Sequence, residues 1–197
     1  MSIQTDWGYI VDTSATELPP LISVADFRIV APSLSATDDQ IAAVLGSVSA
    51  IVRNYCGWHV SPALYCEYTG TGDGTLLMLP AMGVRNVSSL ALAGTEKDGG
   101  YEWTAAGMVR LVDGTVFPEC WRSAVCSYYA GFDSAAIEQI AAQIAANALV
   151  ASPGVREEHA GQVGITYNQT GSGISGGVSL LQRDMDALAQ YRLARAW

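Results

Sequence analysis

The chain has 197 residues, of which 50% are hydrophobic and 15% are charged, and its net charge at pH 7 is −9. This length suits one domain of ordinary size with additional segments, because single domains most often have about 100–150 residues. Nucleic-acid readers and proteins of anionic membrane surfaces normally carry clustered basic residues. The chain has a single lysine, Lys97, and no run of lysine and arginine, so both classes are disfavoured.

The shortage of charged residues predicts that much of the surface is buried by protein. Typical soluble domains have about 25% charged residues, and large exposed apolar patches usually mark interaction sites. We therefore expect contacts with other copies of the chain or with a partner. The alternative is an alanine-rich protein that remains monomeric.

The chain lacks the signals of membrane insertion and secretion. Its longest uncharged apolar stretches are shorter than the roughly 18 residues needed to span a bilayer. The first residues have no basic stretch followed by an apolar one, so we expect no signal peptide and a soluble protein.

Residues 1–19 contain aromatic residues without clear periodicity and lead into the pair Pro19-Pro20, which favours an extended N-terminal arm. The next stretch, 22–32, predicts a short helix with Ser23 as its N-cap and with Val24, Phe27 and Val30 facing inward.

The clearest helix follows Thr37, a predicted N-cap succeeded by two aspartates at the positive end of the helix dipole. Gly57 stands where a left-handed residue would end this helix. Its apolar residues recur at helical spacing and predict one buried face: Ile41, Val44, Leu45, Val48, Ile51, Val52 and Tyr55.

From residue 62 to 130 the pattern changes to short β-branched and aromatic runs separated by glycines, which is typical of antiparallel strands. The stretch 69–75, TGTGDGT, predicts a hairpin connection between the first two strands. The five candidate strands are 63–70, 75–80, 87–94, 108–114 and 123–131.

Helical spacing returns at 134–154, where Ile137, Ile140, Ala141, Ile144, Ala145 and Ala148 share one face. The opposite side consists of Ala135, Gln139, Ala142, Ala146 and Val150, which is poor cover against water. Both sides are therefore expected to contact protein.

The remaining sequence predicts a glycine-rich extended loop over 153–178 and a C-terminal helix over 179–197, with Ser179 as a possible cap. The predicted fold class is α+β: a small helical bundle over 20–152 with an inserted antiparallel β-strand region, preceded by the 1–19 arm and followed by the loop and the C-terminal helix. Such a lone helix is marginal in water and needs a partner surface.

The sequence contains no recognisable catalytic or metal-binding motif. Cys56, Cys66, Cys120 and Cys126 form no CxxC pair, and the two histidines, His59 and His159, add no ligand spacing. We expect free thiols, no metal and no cofactor. His59 follows the end of a helix and is interpreted as a dipole partner or a packed ring rather than a general base.

Three motifs occur in order along the chain: an acidic start opens the second helix, a Leu-Pro run leads into strands, and a Tyr-Ala-Gly-Phe ending precedes the last core helix. The residues concerned are Asp38, Asp39 and Ile41; Leu79, Pro80, Val84 and Val87; and Tyr129, Ala130, Gly131 and Phe132. In the order and spacing of these motifs the chain resembles the head-tail connector, or head-completion adaptor, proteins of long-tailed double-stranded DNA bacteriophages. The resemblance covers roughly residues 20–168.

The resemblance implies a structural virion protein and no enzyme. Members form a ring, typically of twelve subunits, between the portal protein and the tail or a stopper protein, where they extend the DNA channel. This implies a location at the virion neck after assembly in the host cytoplasm. The acidic net charge suits a channel through which DNA passes without sequence-specific binding, a hypothesis from net charge alone.

The C-terminal helix is the predicted partner-binding element, reaching a neighbour or the portal through a glycine-rich tether. Its candidate contact residues are Leu181, Met185, Leu188, Tyr191, Arg192, Arg195 and Trp197. The alternative is that the helix folds back on its own domain.

Three rival functions remain open at this point. Another neck component, a stopper or tail terminator, would be mostly β with less helix. A hydrolase with an unrecognised Ser or Cys site and a small-ligand binding module belong to other classes.

Overall fold

The computed structural model describes residues 2–12, 16–150 and 178–193, together with the backbone of 157–160 and 163–166. Within it the chain forms two compact units. A strand-rich unit contains Met1–Pro19, Cys56–Asp133 and Tyr191–Trp197, and a helical unit contains Pro20–Tyr55 and Ser134–Gln190. The α+β fold class predicted from the sequence is confirmed.

The helices of the described residues are α1 (Val24–Val30), α2 (Asp38–Cys56), α3 (Ala135–Val150) and α4 (Gln182–Leu188), the last continued by a 3₁₀ turn over Ala189–Tyr191. The strands are β1 (Ser2–Gln4), β2 (Tyr9–Asp12), β3 (Leu64–Gly70), β4 (Leu76–Met78), β5 (Asn86–Leu92), β6 (Thr95–Glu96), β7 (Tyr101–Trp103), β8 (Met108–Leu111), β9 (Ala124–Ala130), β10 (Glu157–Ala160) and β11 (Val163–Thr166).

The strand-rich unit contains two antiparallel sheets. Six strands form the larger sheet in the order β1-β2-β3-β9-β5-β6, and three form the smaller sheet in the order β4-β8-β7. In the helical unit, β10 and β11 pair as an antiparallel hairpin. This hairpin lies inside the stretch 153–178 that was expected to be an extended loop, and the rest of that stretch lies outside the described residues.

Helix α2 begins as predicted. The Thr37 hydroxyl accepts from the Gln40 backbone N–H at 3.3 Å, and the Gln40 side chain accepts in return from the Thr37 N–H at 2.9 Å. This reciprocal pair satisfies two donors that the helix cannot satisfy itself. The predicted face is turned inward, with Ile41, Leu45 and Val48 buried.

Helix α1 confirms the Ser23 cap, whose hydroxyl accepts from the Asp26 N–H at 3.1 Å. Phe27 is fully buried as predicted. The inward position expected for Val30 is wrong, since Val30 is 59% exposed beside an even more exposed Ile29. The helix has seven residues, about two turns, and its last two residues face away from the core.

Helix α3 buries the predicted face through Ile137, Ala141, Ile144 and Ala145. The opposite side is open over most of its length within this single chain: Ala135, Gln139 and Val150 are exposed, while Ala142 is buried.

Helix α4 is shorter than the predicted 179–197 and begins after Leu181 rather than at Ser179. The cap is made by the Asp184 carboxylate, which accepts from the Leu181 backbone N–H at 3.0 Å. Leucine has no side-chain acceptor, and the hydrogen bond at this helix start is accepted by Asp184 instead.

The N-terminal segment differs from the expected arm. Residues 2–4 and 9–12 are strands, and β2 pairs with β3 from Tyr9 opposite Tyr68 to Asp12 opposite Tyr65. Strands this short show too few alternations to reveal a period. Pairing with β3 gives β2 its hydrogen-bonding partners, and β2 in turn pairs with β1.

The five predicted strands are present with shifted ends, but the predicted hairpin at 69–75 is wrong. Strand β3 pairs with β2 and β9, whereas β4 pairs with β8 in the other sheet. The glycine-rich stretch therefore carries the chain from one sheet to the other. A turn sequence indicates a change of direction but does not specify the partner of the next strand.

The larger sheet has a buried face and an outer face. Buried side chains alternate along β9, where Cys126, Tyr128 and Ala130 point inward. The intervening residues Ser127 and Tyr129 stand on the outer face opposite Glu67 and Tyr65 of β3. This alternation is the pattern of a sheet that covers a core on one side only.

Within the core of the strand-rich unit, the His59 imidazole joins three segments. Its Nε2 lies 3.0 Å from the Ala130 carbonyl, which can only accept, so Nε2 carries a proton. In the neutral ring Nδ1 then accepts from the Tyr9 hydroxyl at 2.8 Å. The same hydroxyl accepts from the His59 backbone N–H at 3.0 Å. Residue 59 is fully buried, as is Tyr9 apart from 1% of its surface.

Two buried tyrosines allow a matched test of this arrangement. Removing the Tyr9 hydroxyl takes away the group that bonds both His59 Nδ1 and the His59 backbone N–H, so Tyr9→Phe should lower the free energy of unfolding by about 1–3 kcal/mol. The Tyr128 hydroxyl is buried, and its hydrogen-bonding neighbour is the Cys66 thiol, which is a weak partner, so Tyr128→Phe should change stability much less than Tyr9→Phe or be stabilising. Urea denaturation of both variants measures the difference. Equal destabilisation by the two substitutions would contradict the role given to Tyr9.

Candidate assembly surfaces

The predicted C-terminal contact residues lie in different environments. Leu188 is fully buried inside the chain, and Leu181 and Met185 are half-buried. Arg192 is exposed. Arg195 and Trp197 lie outside the described residues. In the helical unit, the Tyr55 hydroxyl donates to the Met185 carbonyl at 3.1 Å, so α4 contacts its own unit. This agrees with the fold-back alternative for α4, and a partner-binding role for the chain end remains a prediction.

Residues after α4 are held in the strand-rich unit. The Trp58 indole N–H donates to the Tyr191 carbonyl at 2.7 Å, and the Leu193 N–H donates to the Cys56 carbonyl at 3.0 Å. The Tyr191 ring meets the Phe132 ring edge to face at 5.3 Å, and Phe132 meets Trp58 in the same way at 5.7 Å. These contacts give Tyr191 a structural partner within its own chain.

The sequence Tyr129-Ala130-Gly131-Phe132 forms the end of β9, where each residue has a distinct environment. Ala130 is buried, and Phe132 packs on Trp58. Gly131 has φ +123°, and a Cβ atom there would come within 2.7 Å of the Ala63 Cα and the Pro62 carbonyl oxygen. Only glycine fits this position.

Asp133, just after β9, connects this part of the chain to Ala63 and Arg85. Its carboxylate accepts from the Ala63 N–H at 3.0 Å and forms a salt bridge of 2.9 Å with Arg85. The hydrogen bond from Ala63, followed by the effect of Arg85, lowers the pKa of Asp133 below its ordinary value. The Arg85 guanidinium also lies over the Tyr129 ring at 5.7 Å.

The histidine and thiol geometry provides no nucleophile in the core. Both ring nitrogens of His59 hold hydrogen bonds, so the packed-ring interpretation describes it. Burial raises the pKa of Cys56, Cys66 and Cys126 to about 12, which keeps these thiols protonated and unreactive. Cys120 is an exposed free thiol.

Within the described ranges, no group of three or more His, Cys, Asp or Glu side chains could hold a metal ion. No helix in that part of the chain combines the length and apolar character needed to cross a bilayer.

Large apolar side chains are exposed on both units. In the helical unit they are Ile29, Val30 and Val150; in the strand-rich unit they are Tyr65, Met78, Trp103, Val112, Val116 and Trp121. Trp121 is the most exposed, with 85% of its surface accessible. The sequence does not indicate whether Trp121 faces inward or outward, because one tryptophan in an irregular stretch belongs to no periodic pattern.

Trp121 and Arg122 form a projection, here called the tip, on the loop before β9. Arg122 has φ +53°, an uncommon conformation for a residue with a side chain. Its backbone N–H donates to the Thr71 hydroxyl at 2.8 Å, and the Ser123 hydroxyl donates to the Pro118 carbonyl at 3.0 Å. These bonds hold the loop in one shape.

The outer face of the larger sheet contains an open depression, here called the cradle. Its volume is about 470 Å³, and it is lined by Ser2, Ile10, Asp12, Tyr65, Cys66, Glu67 and Ser127. One wall is aromatic, because the Tyr65 ring lies 4.8 Å from the Tyr129 ring. Sequence analysis did not single out this face, since the register that joins β2, β3 and β9 is set by pairing between distant segments.

Asp133→Asn should lower stability in a pH-dependent way. The folded pKa lies below the unfolded one, so this carboxylate stabilises the fold above its ordinary pKa of about 3.9 and loses that effect as pH falls through the folded value. The side chain is exposed, so the loss near pH 7 should be at most about 1 kcal/mol. Urea denaturation should show wild type and variant converging below about pH 4.

Glu102→Gln provides a control, because Glu102 is an exposed strand residue that forms no salt bridge among the described residues. A stability difference for Asp133→Asn that stays constant with pH would contradict this assignment.

No protein-family model matches the chain, and no curated protein matches it by sequence. The solved structures that match it in fold include three from GTA particles. A chain from the neck of an empty GTA particle, computed with C6 symmetry, has a TM-score of 0.56 and 18% identity and covers 94% of this chain and 96% of that chain. A chain from the neck of a native GTA particle, computed with C12 symmetry, has a TM-score of 0.54 and 16% identity and covers 95% and 97%.

The third match comes from the virion of a native gene transfer agent (GTA) particle, with a TM-score of 0.59, 17% identity, and coverage of 94% and 96%. Identities of this size show a common fold. The chain therefore has, over nearly its full length, the fold of chains in these GTA neck and virion structures.

Proposed function

We propose that this chain is a structural neck protein of a phage-like particle, a head-to-tail adaptor whose copies form a ring between the portal and the tail or stopper. The observation that carries the proposal is the fold common to this chain and the neck chains of GTA particles, over at least 94% of both chains. Those necks were computed with C6 and C12 symmetry, which favours a ring of six or twelve copies here.

The surface of the single chain supports assembly. Exposed apolar side chains occur on α1, on the open side of α3 and on both sheets. A chain with 15% charged residues has little polar material to cover them. Such patches are typical of surfaces that other subunits bury.

A structural role without catalysis fits the chemistry of the described residues. Three thiols are buried and have raised pKa values. Both ring nitrogens of His59 form hydrogen bonds inside the core. These buried groups stabilise the fold, and we assign the function of the protein to assembly through its surface.

We further propose that the ring extends the DNA channel and lets DNA pass without sequence-specific binding. The net charge of −9 supports this, since a strongly basic lining would retain the phosphate backbone. In the particle the protein would lie at the head-tail interface after assembly in the host cytoplasm.

The chain end is proposed to contact the portal or a neighbouring subunit. Of the predicted contact residues, Leu188 is already buried and cannot serve without unfolding α4. Exposed Arg192, with Arg195 and Trp197, remains the proposed contact set, and Leu181, Met185 and Tyr191 would contribute through their accessible parts.

The ring is tested by the mass of the purified full chain. Multi-angle light scattering at increasing concentration should give six or twelve times the mass of one chain, and two-dimensional class averages should show rings with the same symmetry. Association should weaken in low concentrations of urea, because buried apolar surface drives it.

Class averages of necks from particles assembled with the chain provide the second arm of this experiment, with particles lacking it as the control. A chain that stays monomeric at high concentration and is missing from assembled particles would refute the adaptor proposal.

A further inference from the structure

We propose that the tip of one subunit, Trp121 and Arg122, inserts into the cradle on the larger sheet of the next subunit, where Arg122 pairs with Glu67. The inference rests on the proposed ring and names the contact that closes it. Both surfaces belong to the same compact unit of the chain, so each copy would offer one tip and one cradle.

The tip has the composition and rigidity of an interface anchor. Tryptophan and arginine are the residue types that most often dominate binding energy at protein interfaces. Trp121 is 85% exposed, and the loop is held by the bonds from Arg122 to Thr71 and from Ser123 to Pro118. A loop already held in its bound shape loses little conformational entropy on binding.

The cradle has room for the tip and complements it in chemistry. Its volume of about 470 Å³ lies within the roughly 300–1,000 Å³ of pockets that enclose a compact group, enough for an indole and the guanidinium beside it. Tyr65 supplies an aromatic wall against which an indole can stack. The Glu67 carboxylate supplies the acceptor that a guanidinium prefers.

The tip and the cradle carry opposite charges that form no salt bridge among the described residues. Arg85 and Lys97 of the same unit already form salt bridges with Asp133 and Asp113. Among the described residues, neither Arg122 nor Glu67 forms a salt bridge. In an interface, such a pair contributes mainly to specificity and register.

The tip cannot fill the cradle of its own subunit. Glu67 lies opposite Ser127, which is five residues after Arg122. An extended chain of that length spans about 16 Å at about 3.3 Å per residue. Tip and cradle are thus separate patches on one compact unit. A contact between different patches is head-to-tail, and repetition of such a contact generates a closed ring when its rotation is suitable. The occupant we assign to the cradle is a second copy of this chain.

Charge reversal tests the pairing between subunits. Arg122→Glu alone and Glu67→Arg alone should each raise the concentration for half-assembly at least tenfold in light scattering. An equimolar mixture of the two variants should restore assembly to within about threefold of wild type. In the mixture, the acidic tip of the first variant meets the basic cradle of the second, and the unchanged tip of the second meets the unchanged cradle of the first. The two variants therefore alternate around an even-numbered ring.

Two further variants complete the design. Arg110→Glu makes the same change of charge at an exposed strand residue outside both surfaces and should leave assembly unchanged. Trp121→Ala removes the anchor without changing charge and should weaken assembly at least tenfold. Thermal unfolding confirms that each variant is folded.

The outcomes separate this contact from the ring itself. A wild-type chain that forms no ring in solution and is also missing from assembled particles overturns both proposals. A wild-type ring that persists unchanged in Arg122→Glu and in Trp121→Ala overturns the tip-and-cradle contact and leaves the adaptor proposal standing. Single variants that fail alone and are not restored by mixing also overturn it.

Discussion

The strand-rich unit depends on the two hydrogen bonds that the buried His59 imidazole forms. A buried ring with two nitrogens needs two partners, and it finds them in the Tyr9 hydroxyl and the Ala130 carbonyl, 50 and 71 residues away along the chain. These bonds place the N-terminal strand and the end of β9 around residue 59. The glycine at 131 permits the close approach, because any side chain there would collide with Ala63.

The outer surface follows from this internal arrangement. Once β2 is attached beside β3, the larger sheet has an open face formed by Asp12, Tyr65 and Tyr129 in one row and by Ile10, Glu67 and Ser127 in the next. The buried face of the same strands contains thiols and the Tyr128 ring, which contribute packing. The packing that stabilises the sheet therefore lies on one face, and the proposed subunit contact lies on the other.

A low charge content gives each remaining charge greater weight in assembly. Apolar contacts hold subunits together without specifying their register, whereas a charged pair is favourable in few alignments. Among the described residues of the strand-rich unit, Arg85 and Lys97 form internal salt bridges, and Arg122 follows Trp121, which is 85% exposed. A ring that must close after a small number of copies depends on such directional contacts, since a small error in rotation gives an open helix.

Local spacing was sufficient for the helices and for the longer strands. Helix α2 shows the reason: its cap, its buried face and its terminal glycine all lie within one continuous stretch that repeats every 3.6 residues. The short strands β1 and β2, the passage between sheets at residues 69–75 and the outward position of Trp121 have no such local signal. Their positions depend on hydrogen bonds and packing between segments far apart in the chain, and these contacts exist only after the chain has folded.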